Sequence, residues 1–326
     1  MEDWLPAPDA ETQSARAALI FMDQQIAGVL VIDKPPDMTS HDVVARARRL
    51  LGIRQIGHFG TLDPFATGVL PLSVGKATRF AQFYLKSRKA YEGTVVLGVS
   101  TDTYDGTGTP TSEELPVAVE ADTLEKLFRE FTGRLMQTPP PYSAKRVGGA
   151  RAYELARQKK PVQLEPVEVE VYALELLSFD GARARMAVEC SGGTYVRSLA
   201  HDIGQRLGCG AHLESLRRTA VAEFTLEQSL TLEALEAAVR EQKAGNCLIS
   251  LEALLPDCPE LIVRGREESS VRHGHKFELA QTERFGRGGG RAQAVSLLKI
   301  MNPDHRLIAV ARHVSGSIYH PDLVLV

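Results

Sequence analysis

The segment Gly57-His-Phe-Gly-Thr-Leu-Asp-Pro-Phe-Ala-Thr-Gly-Val-Leu-Pro71 constrains the chain more tightly than any other stretch of its 326 residues. It carries one carboxylate, Asp63, in an otherwise apolar, glycine-bracketed run. Pro64 disfavours α-conformation at Asp63, so this residue is expected in an extended or turn geometry with a restricted side-chain direction. Gly57, Gly60 and Gly68 permit tight turning or close approach to a ligand. Leu62, Phe65, Val69 and Leu70 are expected to surround the carboxylate with hydrocarbon, where an ion needs a specific partner. On spacing alone, an ordinary Asp-Pro turn beside a buried strand fits equally well. Other segments have to break that tie.

Basic charge gathers around this segment. Residues 28–91 hold ten Lys and Arg against four Asp, a local +6 in a chain whose net charge is −3. Such a concentration suits a polyanionic partner, although solvated helix faces produce clusters of the same kind. An apolar content of 44% and a charged content of 24% are ordinary for a soluble globular protein, and the length allows one large domain and one small one. Cys190, Cys209, Cys247 and Cys258 show neither metal-ligand spacing nor disulfide density, which fits a reducing cytoplasm. No apolar run is long enough to span a bilayer, and the acidic N-terminal residues have the wrong sign for a secretory leader. A soluble, cytoplasmic protein is expected.

Along the chain, residues 1–27 read as an acidic flexible extension, with five acids and one Arg. Gly28 to Asp33 reads as a buried strand. Thr39 or Ser40 can cap a helix with Val43, Ala47, Leu50 and Leu51 on one face and Gly52 as its stop. A helix near Thr78 to Leu85 and a strand from Tyr91 through Val99 follow. Residues 101–115 are turn-rich and read as a loop. A short amphipathic helix near Asp122 to Phe131 leads into an inserted lobe that ends in a helix over Tyr153 to Gln158. Residues 182–190 alternate, with Ala182, Ala184, Met186, Val188 and Cys190 facing inward. A helix over Tyr195 to Leu207 ends at Gly208, and residues 229–243 form an acidic helix. After Pro256 short strands such as Leu307–Ala311 and Leu323–Val326 dominate, with a Gly/Arg loop at Phe285 to Arg291. The pattern is α+β: an extension over 1–27, a main domain over 28–255 with an insertion over approximately 110–165, and a small, mostly β domain over 256–326.

Several familiar chemistries fail on these residues. Gly75-Lys-Ala-Thr78 looks like the end of a phosphate-binding loop, but Leu70 stands where its first glycine belongs and Ala77 where a magnesium-binding hydroxyl belongs. Cys209 and His212, with His201 upstream, are too scattered to mark a metal site. Cys190 lies on the inward face of its strand with nothing nearby to lower its pKa. A glycosidase wants two working carboxylates, and the segment offers only Asp63. The remaining parts are complementary. Cys190-Ser-Gly-Gly-Thr-Tyr-Val-Arg197 sets a strand end, a glycine turn and a helix start in order, and an Arg at that helix start can pair with a buried carboxylate. Tyr91 is either a stacking platform or an ordinary strand aromatic. Leu216-Arg217-Arg218 is either an apolar contact between phosphate-binding cations or a routine loop.

Taken together, Gly28-Val-Leu-Val-Ile-Asp-Lys-Pro, the Gly57 to Pro71 stretch, Lys89-Ala-Tyr91, Pro140-Pro-Tyr-Ser-Ala, Gly193-Thr-Tyr-Val-Arg197 and Gly208-Cys-Gly-Ala-His-Leu-Glu-Ser-Leu-Arg-Arg218 resemble the bacterial TruB family of tRNA pseudouridine-55 synthases, in the family's order and at compatible spacing. The resemblance runs from Gly28 to about Ala222 and more weakly through the tail.

It implies a pseudouridine synthase fold, with a mixed central sheet, an inserted RNA-binding lobe and a PUA-like C-terminal domain. The implied activity is isomerisation of uridine 55 in the T-loop of tRNA. Asp63 falls on the catalytic aspartate, Tyr91 on the tyrosine that stacks on the target base, and Arg197 on the arginine paired with the aspartate. Tyr195 falls in the same pocket, Leu216 on its apolar wall and Lys34 at its edge. His58, Lys89, Arg217 and Arg218 fall where the family contacts RNA. The implied partner is the T-stem-loop of tRNA, with no cofactor, no metal, no membrane, no obligatory protein or guide-RNA partner, and a monomeric enzyme; a non-catalytic RNA-folding module and a guide-RNA-dependent synthase stay open as alternatives. Whether the aspartate attacks the ribose or removes a sugar proton stays open. Phe59 departs from the family, which usually has Thr there.

Overall fold

Strand β1 (Gly28–Lys34) is apolar on both faces because it lies between two packed layers. Leu30 and Ile32 enter one core, whereas Val29 and Val31 enter the other, and all four are at most 1% exposed. The computed structural model describes residues 26–143, 145–147, 150–151, 164–279 and 296–325. The expected helix over Tyr153–Gln158 and the Gly/Arg loop Phe285–Arg291 lie outside the described residues, as does all but the end of the acidic extension.

Helix α1 (Ser40–Leu51) starts where a capping box closes it. The Thr39 hydroxyl accepts from the Asp42 N–H at 3.1 Å, and the Asp42 carboxylate accepts from the Thr39 N–H at 2.9 Å. Gly52 ends it in the left-handed conformation with φ of 69°. Strands β2 (Ile56–His58) and β3 (Thr67–Val74) then bracket the Asp63 segment. The helix expected over Thr78–Leu85 is instead a 3₁₀ stretch over Gly75–Phe80 running into a single turn, α2 (Ala81–Tyr84). The chain turns again there, with the Ser87 N–H closing onto the Tyr84 carbonyl at 3.1 Å, in order to enter β4 (Lys89–Leu97).

Helix α3 (Ala121–Glu130), strand β5 (Gly133–Gln137), a short hairpin of β6 (Arg146–Val147) and β7 (Ala150–Arg151), and strands β8 (Val167–Phe179) and β9 (Arg183–Cys190) follow. On β9 the inward set Ala184, Met186, Val188 and Cys190 is buried, as alternation requires. Helix α4 (Val196–Leu207), strands β10 (Ala211–Val221) and β11 (Phe224–Thr225), and helix α5 (Leu232–Arg240) complete the main layer.

The central sheet runs β1-β3-β10-β4-β9-β8-β5, with β2 also on β3 and β11 on β10. Its pairs are antiparallel except β3 with β10, which run parallel at Arg217↔Thr67 and Arg218↔Gly68. The segment Leu216-Arg217-Arg218 is therefore a central strand and not a loop. Gly68 makes the junction possible. Its φ is +101°, and a Cβ there would lie 2.2 Å from the Arg218 carbonyl oxygen. Only glycine allows the end of the Asp63 segment to press against β10 in this way.

The tail forms a second, five-stranded sheet in the order β12 (Glu260–Ile262), β14 (Leu297–Met301), β15 (Leu307–Ser315), β16 (Ile318–Val324) and β13 (Phe277–Glu278), with helix α6 (Gly265–Arg272) against one face. Met301, Leu307, Val310, Leu323 and Leu325 pack in one core with Val29, Val31 and Phe59. Phe59 is fully buried there. Its ring stacks on Tyr84 with centroids 4.5 Å apart, 6.1 Å from Phe224. An aromatic at position 59 thus supplies packing between the main layer and the second sheet.

Candidate active site

Helix α4 is set in place before its first turn begins. The Gln137 side chain, 3% exposed at the end of β5, accepts from the Tyr195 N–H at 2.8 Å and donates to the Tyr195 carbonyl at 3.1 Å. Ser198 adds a bond from its hydroxyl to the Thr138 carbonyl at 2.8 Å. Arg197, at the second helical position, is thereby held against the Asp63 segment.

The Arg197 guanidinium donates four hydrogen bonds and makes one further ion-pair contact. Nε donates to Asp63 Oδ2 at 2.9 Å and one terminal nitrogen donates to Asp63 Oδ1 at 3.1 Å, a bidentate fork. That same nitrogen also donates to the Tyr142 carbonyl at 3.0 Å. The other donates to the Thr103 carbonyl at 2.8 Å and lies 3.3 Å from Asp105 Oδ2. The Arg197 side chain is 5% exposed, and that of Asp63 is 33% exposed. The carboxylate therefore meets the arginine on one side and open space on the other.

The loop that carries Asp63 has every carbonyl from Gly60 to Pro64 bonded, which fixes its backbone. Arg218 donates to the Gly60 carbonyl at 3.0 Å, to Thr61 at 3.3 Å and to Val69 at 2.7 Å. The Ser40 hydroxyl donates to the Leu62 carbonyl and accepts from the Leu62 N–H. The Ala66 N–H closes onto the Asp63 carbonyl at 3.1 Å. Lys34 and the Asp37 N–H both bond the Pro64 carbonyl at 3.0 Å.

Two residues lie deeper than expected. Arg218, expected to contact RNA, is fully buried and spends its donors on the loop. Lys34, expected at the pocket edge, is also fully buried, with its ammonium on the carbonyls of Pro35, Met38 and Pro64. Both are internal braces, because each side chain reaches under the loop and donates to its carbonyls.

A cleft of about 270 Å³ opens over the pair, lined by Asp63, Tyr91, Tyr142, Tyr195, Arg197 and Leu216 among others. Asp63 is the one carboxylate among the described lining residues. Tyr91 and Leu216 are each 7% exposed and present apolar surface to it. Burial pushes the Tyr91 hydroxyl up to about 12 and also raises that of Tyr195. Lys89 lines the cleft but directs its ammonium to the Leu85 and Ser87 carbonyls at 3.2 and 3.0 Å. His58 lies beside the cleft, where its Nδ1 accepts from the Gly60 N–H at 3.2 Å and burial lowers its pKa. Arg217 reaches outward and grips Asp33 with two bonds of 3.0 and 2.7 Å, its side chain 43% exposed.

Burial lowers Lys34 and Lys89 to about 8 from an ordinary 10.5. Below about 8 both are protonated whether the chain is folded or not. Between about 8 and 10.5 the unfolded chain keeps protons that the folded protein has released, so these lysines make stability rise with pH across that window. Urea unfolding of wild type and Lys34→Met across the window checks this. The variant shows the shallower rise, and equal slopes refute the reading.

Sequence reasoning missed Asp105 and Gln137. Asp105 stands behind Arg197 with its side chain 5% exposed, and its Oδ1 accepts from Thr103 Oγ1, Thr107 Oγ1 and the Thr107 N–H. Its only advance sign was a Thr/Asp-rich loop, which reads as turns. Gln137, before a run of prolines, gave no sign.

The family model for TruB family pseudouridylate synthases (N-terminal domain) matches residues 48–196, and that for the tRNA pseudouridylate synthase B C-terminal domain matches residues 197–256. A tRNA pseudouridine synthase B of Solibacter usitatus is 46% identical over 299 residues, which is 91% of this chain and 99% of that protein. One of Aquifex aeolicus is 38% identical over 301 residues, 92% and 99% of the two chains. Among solved structures, a chain of a Cbf5–Nop10–Gar1 complex superposes with a TM-score of 0.69 at 29% identity, covering 91% of this chain and 81% of that one. A chain of an H/ACA ribonucleoprotein bound to a substrate RNA containing 2′-deoxyuridine gives 0.68 at 27% identity, covering 94% and 86%.

Proposed function

The chain belongs to the TruB family of pseudouridylate synthases, isomerases that turn tRNA uridine into pseudouridine, and on that premise we propose that it modifies uridine 55 in the T-loop, with Asp63 as its catalytic residue. The observation that carries this reading is the bidentate Arg197–Asp63 pair at the wall of a cleft that has no other carboxylate among its described lining residues.

A uridine inside the folded tRNA elbow is stacked and has to be turned out to be reached. Extrusion costs on the order of a few kcal/mol. Stacking on Tyr91 and apolar contact with Leu216 offset that cost, together with phosphate contacts from the exposed cations of the cleft surround, such as Arg217. With the base seated, the reaction breaks the C1′–N1 bond, rotates the uracil and forms a C1′–C5 bond, after which C5 releases its proton to solvent and N1 takes one up. The isomerisation leaves oxidation state and atom count unchanged, so the carboxylate and its orientation are the chemical requirement.

Asp63 is suited to two roles: it attacks the ribose C1′ as a nucleophile, or it removes the C2′ proton to give a glycal. In either role Arg197 aims it, because the fork fixes both carboxylate oxygens while the exposed side faces the cleft. Tyr195, held through its backbone by Gln137, closes the same wall.

The enzyme is further proposed to act alone on tRNA as a monomer, without guide RNA, although the structural neighbours come from assemblies with other proteins and RNA. An isolated T-stem-loop added to the purified protein tests the whole reading. Stoichiometric pseudouridine at the position equivalent to 55 is expected. Turnover that needs a second protein or an RNA guide, or modification at another position, overturns it.

A further inference from the structure

Arg197 is gripped from behind by a loop, residues 101–111, none of whose residues lines the cleft. Its grip comes from two positions, the Thr103 carbonyl at 2.8 Å and the Asp105 carboxylate at 3.3 Å. The residue between them, Tyr104, has a φ of +64°. A bulky side chain occupies that region only where its surroundings hold it.

Both ends of Tyr104 are held. Its carbonyl accepts from the Leu213 N–H at 3.0 Å, and the neighbouring Gly106 N–H donates to the Leu213 carbonyl at 2.9 Å, which fastens the backbone to β10. Its ring lies on the His201 imidazole, with centroids 3.8 Å apart and planes 10° from parallel. Burial lowers the His201 pKa, which favours the neutral form of the stacked imidazole. His201 sits four residues after Arg197 on α4, and residues at that spacing share a helix face. One face of one helix therefore carries both the arginine that aims Asp63 and the platform for the loop that braces this arginine.

We propose that the Tyr104–His201 stack is a positioning device for catalysis, locking loop 101–111 onto α4 so that Thr103 and Asp105 hold the Arg197 fork square to Asp63. This rests on the roles of Asp63 and Arg197 proposed above. Tyr104 and His201 are positioning residues, since neither lines the cleft.

Single-turnover isomerisation and tRNA affinity, measured on the same variants, test it. Misplacing a catalytic group by a fraction of an ångström slows the chemical step far more than binding. Tyr104→Ala and His201→Ala are each expected to lose about ten- to a hundredfold in rate, with tRNA affinity changed by no more than about twofold. Tyr104→Phe keeps the ring and keeps the wild-type rate. The double variant Tyr104→Ala with His201→Ala is no slower than the slower single, because one contact is lost once. A wild-type rate in either alanine variant overturns the proposal, as does an affinity loss equal to the rate loss. So does a Tyr104→Gly protein as fast as Tyr104→Phe, since glycine relieves the backbone without supplying a ring. If Tyr104→Ala fails to fold, His201→Ala, at a partly exposed position on its helix, carries the test. Asp63→Asn runs alongside: activity there means the catalytic reading is wrong, whereas an inactive Asp63→Asn with a fast Tyr104→Ala removes only the stack's role.

Discussion

Asp63→Asn is expected to bind tRNA as wild type does and to lose isomerisation by at least about 10⁴-fold, the scale seen when a nucleophile or its activating base is removed. Asparagine has the same shape but puts an amide where Arg197 expects a second acceptor. The fork then meets one oxygen and one N–H₂ donor, so the arrangement at 2.9 and 3.1 Å cannot persist. More directly, the amide is neither a nucleophile toward C1′ nor a base toward a sugar proton. Binding survives because Tyr91, Leu216 and the surrounding cations are untouched. Tritium release from tRNA labelled at uracil C5, together with filter binding, reads the two quantities separately. Turnover within about a hundredfold of wild type removes Asp63 from the catalytic role.

Arg197→Lys is expected to cost both activity and stability although it conserves charge. An ammonium has three donors and no fork, whereas Arg197 serves Asp63 twice, the carbonyls of Tyr142 and Thr103, and Asp105. At least two acceptors in a site where the arginine is 5% exposed lose their partner. Each such loss costs about 1–3 kcal/mol, so a melting-temperature drop of several degrees is expected. Loss of the two-point hold on Asp63 lowers kcat by about 10²- to 10³-fold. Steady-state kinetics and thermal melts on one preparation decide. A lysine variant with wild-type kcat shows that charge alone, and no fork, is what Asp63 needs.

Much of the fold was readable because its signals are local. The helix cap at Thr39 or Ser40, the Gly52 stop and the alternation on β9 each depend on residues within one turn or one strand. The Asp63 segment was readable for the same reason: Asp-Pro and its glycines restrict their own backbone. Strand β10 was not readable at Leu216-Arg217-Arg218, where two adjacent cations argue for solvent. Its central place follows from the parallel pairing with β3, a contact between residues about 150 positions apart in the chain.

The sequence by itself determined that one carboxylate would stand in a restrained, apolar loop, that basic charge would gather near it, and that an arginine would open a later helix. Those are consequences of residue identity and short-range sterics. Tertiary structure alone decided how the cations divide their work. Arg197 reaches Asp63 and Asp105, Arg218 and Lys34 disappear beneath the loop, and Arg217 stays near the surface. A cation's role depends on which carbonyls and carboxylates the folded chain brings within about 3 Å of it, and no local pattern encodes that.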